Sequence, residues 1–220
     1  MKSSFAIIFD MDGVLIDSNP YHKISLKQFC AKYGHALTDK QLEEKIYGRT
    51  NKDWIPNVFG AVPPELVAAY TDEKEALFRE IYANDITPLK GLVRFLTILE
   101  QQNVPMAIGT SAPGANVKFL FEKTGIGHFF TAILDDTFVS RGKPDPEIYL
   151  KAAAALGYPP EKCIVFEDSI SGVMAGSSAG CKVVGVTTTH SGKELALTDL
   201  IIEDFEGISL QDLENLVVKA

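Results

Sequence analysis

The residues best placed to do chemistry lie in the segment Phe5-Ala6-Ile7-Ile8-Phe9-Asp10-Met11-Asp12-Gly13-Val14-Leu15. Five apolar residues run directly into a carboxylate, a second carboxylate follows two positions on, and then a glycine. An uninterrupted apolar run fits a strand buried on both faces, as in a parallel sheet covered by helices. Acidic groups at the carboxyl end of such a strand sit where open α/β sheets bind ligands. Two carboxylates this close repel one another unless a cation or a proton neutralises one of them. The pattern points to magnesium-assisted chemistry with an aspartate as nucleophile.

Three further polar clusters stand where an apolar run gives way to a loop: Thr110/Ser111, Lys143, and Glu167/Asp168. In a parallel sheet these loops open on one edge, so the clusters should converge with Asp10 and Asp12. Two carboxylate groups and a phosphate offer magnesium an all-oxygen shell with room for water. A hydroxyl and an ammonium then supply donors for the remaining phosphate oxygens. Taken singly, each cluster has a plainer reading. Lys143 alone would be a surface lysine and Thr110 a helix cap, while Glu167 and Asp168 would favour the positive end of the helix that follows.

The elements that must position these groups follow from periodicity. From Ser18 to about Asn84 the pattern is helical, with Leu26, Phe29, Cys30 and Tyr33 on one face. Thr38 and Gln41 form a capping box, Gly48 is a helix stop, and Leu66, Tyr70, Leu77 and Ile81 mark a longer amphipathic helix after Pro63-Pro64. From Pro88 onward strands alternate with helices. Leu92, Leu96 and Leu99 make a helix face, Val104 to Ile108 a strand, Ala115 to Lys123 a helix ending at Gly125, and Ala132-Ile133-Leu134 a short strand. Asp145 caps a helix that has Pro146 at its first position and runs through Ile148 to Leu156. Strand Cys163 to Phe166, a helix near Gly172 to Ala179, strand Val183 to Val186, an edge strand Leu200-Ile201-Ile202 and a helix opened by Ser209 and Asp212 complete the chain. The expected fold class is α/β, a doubly wound parallel-sheet (Rossmann-like) core with a small all-helical cap domain inserted after the first strand. Residues 1–16 and 87–220 form the core and 17–86 the cap, which serves as a lid over the sheet's carboxyl edge.

Bulk properties narrow the function classes. The 220 residues are 46% hydrophobic and 23% charged, enough for a buried core with a small insert. The net charge of −8 disfavours nucleic acid and anionic lipid as partners. Cys30, Cys163 and Cys181 lack metal-site spacing, and their odd number argues against a disulfide framework, so they read as reduced thiols of a cytoplasmic protein. Asp10 and Asp12 interrupt the first apolar run too soon for a signal peptide, and no stretch reaches the roughly 20 apolar residues a membrane span needs. Nothing calls for more than a monomer.

The order Asp10-x-Asp12-Gly13-Val14-x-x-Asp17-Ser18, apolar strand then Thr110, Gly142-Lys143-Pro144-x-Pro146, and apolar strand then Glu167-Asp168-Ser169 resembles the haloacid dehalogenase superfamily of phosphotransferases over nearly the whole chain. Within it the chain is most similar to the β-phosphoglucomutase subgroup and its sugar-phosphatase relatives, with a helical cap of the first type. The resemblance implies that Asp10 is the nucleophile forming an aspartyl phosphate and a magnesium ligand. It makes Asp12 the general acid/base and, through its backbone carbonyl, a second metal ligand. Thr110 and Lys143 hold the phosphoryl group, with Ser111 beside the substrate, and Asp168 with Glu167 completes the metal site. Lys143 is expected to keep Asp10 ionised in the presence of an anionic substrate.

In the cap, His22 matches the subgroup's DxxxYH pattern in Asp17-Ser18-Asn19-Pro20-Tyr21-His22, and Gly48-Arg49-Thr50-Asn51 and Lys74 correspond to substrate-contacting positions. The subgroup's arginine three residues after the glycine is replaced by Asn51, with Arg49 adjacent instead, and Ala112-Pro113-Gly114 lacks the polar run with a lysine. These departures favour a magnesium-dependent phosphohydrolase of small phosphorylated metabolites, sugar phosphates foremost, over the alternative of a phosphohexomutase. A receiver-like signalling module would share the aspartyl phosphate but has no use for the insert or for Asp12. A dehalogenase would need neither Asp12 nor magnesium. A phosphonatase would need an imine-forming cap lysine, for which Lys23, Lys27 and Lys74 are available but not specifically indicated.

Overall fold

The computed structural model describes residues 3–47 and 49–218. The chain divides into two compact units, Ser18–Asp85 and the combination of Met1–Asp17 with Ile86–Ala220.

The second of these is built on strands β1 (Ala6–Phe9), β2 (Met106–Gly109), β3 (Ala132–Leu134), β4 (Cys163–Glu167), β5 (Lys182–Val186) and β6 (Leu200–Ile202). They form one six-stranded sheet in the order β3-β2-β1-β4-β5-β6, and every pairing is parallel. Strands β1, β2 and β4 are buried throughout, which is why they read as unbroken apolar runs. The chain winds from β1 to one side through β2 and resumes on the other at β4, so β1 and β4 flank the point where the winding reverses. Ligands bind at the carboxyl ends of strands around such a point. The register Phe9↔Phe166 sets Asp10 beside Glu167 at that edge. Beneath them Phe9 stacks on Phe166 at 5.0 Å, with Phe95 and Phe205 against both rings. On the opposite face Ile8, Val165 and Tyr149 share a second apolar cluster.

Helices α1 (Asn19–Lys32), α2 (Asp39–Lys45), α3 (Asn51–Phe59) and α4 (Pro64–Tyr82) make up Ser18–Asp85. Helices α5 (Leu92–Gln101), α6 (Gly114–Thr124), α7 (Glu147–Leu156), α8 (Ile170–Ser178) and α9 (Leu210–Val218) belong with the sheet. The fold class is the expected one, a parallel α/β core with an all-helical unit inserted after the first strand. The capping box at Thr38 forms in full, with Thr38 Oγ1 accepting from Gln41 N and Gln41 Oε1 accepting from Thr38 N. The expected helix stop at Gly48 lies outside the described residues. No helix among the described residues is long and apolar enough to cross a membrane.

Three details differ from the periodicity. On α4 the fully buried residues are Lys74, Glu75, Phe78 and Tyr82, while Leu66, Tyr70, Leu77 and Ile81 are half-buried. Aromatic stacking turns the helix, because Phe78 lies flat on His22 and Tyr82 on Tyr21, both from α1. Pro146 is the N-cap of α7 rather than its first residue, and Asp145 Oδ1 accepts from Glu147 N at 3.0 Å. Helix α8 opens two residues early, because the Ser169 hydroxyl accepts from Gly172 N and serves as its cap.

Candidate active site

Lys143, Asp10 and Glu167 come from three separate segments and meet at one ammonium group. Lys143 Nζ donates to Asp10 Oδ1 at 2.8 Å and to Glu167 Oε1 at 2.6 Å. Glu167 is fully buried and accepts on both oxygens. Oε1 also takes the Tyr149 hydroxyl at 2.7 Å, and Oε2 takes Asp168 N, Ser169 N and Ser169 Oγ, each at 3.0 Å. Glycine is required at position 172 for this carboxylate to fit, since a Cβ there would lie 1.7 Å from Glu167 Oε1. The Tyr149 ring lies 4.9 Å from Lys143 Nζ and adds a cation–π contact to the same group. The Lys143–Pro144 peptide is cis.

Asp10, Glu167 and Asp168 each offer a carboxylate oxygen within 4.8 Å of the others, and all three are buried. One lysine cannot balance three such groups. Burial, offset in part by Lys143 and reinforced by Glu167, pushes Asp10 up to about 7. Asp168 is raised well above its ordinary value by burial and by the charges of Glu167 and Asp10. Glu167, although burial opposes it, is held below its ordinary value by Lys143. Lys143 pulls Asp10 toward ionisation as expected, but it is shared with Glu167, and burial pulls the other way. A divalent cation fits this deficit. The donor set is all oxygen, as magnesium prefers, and its charge would offset the mutual repulsion that raises Asp10 and Asp168.

The other expected core residues stand on the same edge. Asp12 is half-buried in the turn after β1, where Gly13 has φ 74° and its N–H donates to Ile16 O at 2.8 Å. Thr110 follows β2 and is buried; its hydroxyl accepts from Ala112 N at 3.1 Å. Ser111 is exposed.

Within the helical unit the structure gives most of the expected substrate-contacting residues local partners. Lys74 and Glu75 are each only 5% exposed; Lys74 Nζ lies 2.9 Å from Glu75 Oε1 and 3.0 Å from His22 Nδ1. The His22 ring lies parallel to Phe78 at 3.7 Å. Thr50 is the N-cap residue of α3 and donates to Asp53 Oδ2 at 2.6 Å, and Asn51 Oδ1 accepts from the Trp54 indole at 2.7 Å. Arg49 is exposed, and Gly48 is outside the described residues.

Sequence reasoning missed three residues at the sheet edge. Tyr149 bonds Glu167, Thr188 Oγ1 donates to Gly13 O at 2.5 Å, and Thr189 Oγ1 donates to Asp168 Oδ2. A signal for the threonines was present, since Thr187-Thr188-Thr189 directly follows an apolar strand, as Thr110 does. The three cysteines take no part: all are buried, form no disulfide, and burial pushes the Cys163 and Cys181 thiols up to about 12.

Residues 7–186 match the haloacid dehalogenase-like hydrolase family. The chain is 29% identical to 5-amino-6-(5-phospho-D-ribitylamino)uracil phosphatase, chloroplastic, of Arabidopsis thaliana over 95% of its length, and spans 57% of that relative. It is also 29% identical to the β-phosphoglucomutase of Bacillus subtilis, with 96% of this chain and 94% of the mutase aligned. The crystal structure of a HAD hydrolase, family IA, variant 3, from Entamoeba histolytica superposes with a TM-score of 0.91 at 31% identity, covering 99% of this chain and 100% of that one. The chain thus belongs to the haloacid dehalogenase-like hydrolases, in their β-phosphoglucomutase-like subgroup, and is an enzyme of the phosphatase and phosphotransferase class.

Proposed function

We propose that the protein is a magnesium-dependent phosphohydrolase of small phosphorylated metabolites, sugar phosphates foremost, acting through an aspartyl phosphate on Asp10. The observation that carries this reading is the buried Asp10/Glu167/Asp168 cluster with a single lysine shared between two of its members. Asp10, Asp168 and the Asp12 backbone carbonyl would hold the metal, with Glu167 beside them. When bound, magnesium supplies positive charge that draws the substrate's phosphate in and offsets charge building on its oxygens.

In the first half-reaction an Asp10 oxygen forms a bond to phosphorus while the bond to the substrate oxygen breaks. Asp12 delivers a proton to the departing alkoxide. Lys143 and the Thr110 hydroxyl donate to the phosphoryl oxygens; the Thr110 oxygen already accepts from Ala112 N, so its own proton is directed outward to a ligand. In the second half-reaction Asp12, now a carboxylate, takes a proton from water as the water oxygen bonds to phosphorus and the Asp10–phosphorus bond breaks. Splitting the displacement in two makes each step easier than direct attack by water. Water must be admitted only for the second step, a role assigned to the helical unit, and Arg49 is assigned to substrate binding.

The substrate class is supported by the relatives, whose names specify a phosphorylated ribityl compound and a phosphoglucose. Hydrolase is favoured over mutase by Asn51 and by Ala112-Pro113-Gly114, where the mutase pattern has an arginine and a polar run with a lysine. Incubation with β-glucose 1-phosphate and a trace of glucose bisphosphate tests the choice. Release of inorganic phosphate is expected; glucose 6-phosphate without free phosphate would make the protein a mutase. Full turnover in excess chelator, or wild-type magnesium affinity in Asp168→Ala, would overturn the metal assignment.

A further inference from the structure

Three consecutive threonines follow β5, and their hydroxyls fasten three different parts of the sheet edge. Thr187 Oγ1 donates to Ile202 O at the end of β6 at 3.4 Å, reinforced by Thr187 N to the same oxygen at 3.0 Å. Thr188 Oγ1 donates to Gly13 O in the β1 turn at 2.5 Å. Thr189 Oγ1 donates to Asp168 Oδ2 after β4. The Gly13 carbonyl is one peptide beyond that of Asp12, so adjacent residues of one loop grip both ligand-bearing loops.

We propose that Thr188 and Thr189 are positioning residues that set the spacing between the β1 turn and Asp168 for a divalent cation, with Thr187 anchoring their loop to β6. This rests on the metal reading above. A carboxylate ligand needs its rotation fixed, and a hydroxyl on one of its oxygens fixes it. Outer partners of this kind typically contribute 10–100-fold in metal affinity or activity. Thr188 and Thr189 lie in the turn and bend that follow β5, and their hydroxyls reach two neighbouring loops at once. The hydroxyl is the feature that matters: valine keeps the shape of threonine but has nothing to donate.

The test is a calorimetric titration of metal-free protein with MgCl₂, paired with thermal melting of the same samples without metal. Thr189→Val should weaken magnesium binding by about 10–100-fold, and Thr189→Ser should restore it. Thr188→Val should weaken it less, because it loosens a backbone carbonyl's neighbour rather than a ligand. Thr187→Val should bind nearly as wild type does, because the Thr187 N–H bond to Ile202 O keeps the loop anchored. The metal-free melting temperature of Thr189→Val should stay at the wild-type value, since that residue is exposed. In turnover, Thr189→Val should need more magnesium for half-maximal rate and recover the wild-type kcat once saturated. Wild-type affinity in both Thr189→Val and Thr188→Val, with binding abolished in Asp168→Ala, would overturn the clamp and leave the metal reading standing. A lowered metal-free melting temperature with unchanged affinity would make Thr189 merely structural and also overturn it. Absence of saturable binding in the wild type would remove the metal reading and the clamp together.

Discussion

Two buried lysines divide this chain into different kinds of construction. Lys143 reaches Asp10, 133 positions away in sequence, and Glu167, 24 positions away, and it exists as a site only because the sheet is assembled. Lys74 pairs with the adjacent Glu75 and with His22 on a neighbouring helix. Both ammonium groups are desolvated and both rest near an aromatic ring, Tyr149 in one case and Phe78 in the other. The difference is in the balance of charge. Lys74 is paired with the carboxylate next to it in sequence, while Lys143 is shared between two buried carboxylates and a third lies within 4.8 Å of them. The first is a local pair, and the second is a cluster rich in acid that suits a cation.

The largest effect should come from the proposed nucleophile. Asp10→Asn keeps the shape of the site but removes the carboxylate, and p-nitrophenyl phosphate turnover should fall by at least about 10⁴-fold, in the range seen when a nucleophile is deleted. Turnover within tenfold of wild type would assign the nucleophile elsewhere.

Next is the lysine comparison itself. Lys143→Met takes the shared cation from two buried carboxylates, so thermal or urea unfolding of the metal-free protein should show a loss of about 3–5 kcal/mol. Lys74→Met takes a cation from its neighbour Glu75 and should cost less, about 1–3 kcal/mol. Lys143→Met should also lower p-nitrophenyl phosphate turnover by about 10²–10³-fold, whereas Lys74→Met should leave that small substrate's turnover near wild type. If both variants lose turnover equally, the distinction between an assembled site and a local pair is lost.

A smaller effect sharpens the charge argument. Asp10 binds its proton up to about pH 7 in the fold, against an ordinary value of 3.8, with burial the main cause. Between these values the folded state holds more protons than the unfolded one, so the contribution of Asp10 to stability falls as pH rises from about 4 to about 7. Metal-free melting temperatures should carry that downward slope, and Asp10→Asn should flatten it. A slope that persists unchanged in Asp10→Asn would place the excess proton on another member of the cluster. The smallest effect is expected from exposed Arg49. Arg49→Ala should raise KM for sugar phosphates by about threefold to tenfold, the loss of one polar contact, with p-nitrophenyl phosphate turnover unchanged; equal losses on both would make Arg49 structural.

The sheet was legible because buried parallel strands leave continuous apolar runs, and Phe5 to Phe9, Val104 to Ile108 and Cys163 to Phe166 are such runs. The acids and the lysine at their ends were legible because topology sends those ends to one edge. What escaped was anything set by the third dimension alone. Tyr149 reads as one more apolar-face residue of a helix until its hydroxyl is found on Glu167. The buried face of α4 was misjudged because a lysine and a glutamate on it look solvated in sequence, and only their pairing makes them core. The charge balance at Asp10 was only partly legible for a related reason. Sequence shows that a lysine is available, but not that Glu167 takes a share of it.

Gly172 gives the site a history as well as a shape. With a Cβ there placed 1.7 Å from Glu167 Oε1, no side chain can enter position 172 while the glutamate keeps its place. The two positions are therefore bound in inheritance. Any side chain at 172 requires residue 167 to shift or shorten, and with it the anchor of Lys143. Glycine carries no charge, yet the placement of Lys143's anchor depends on it.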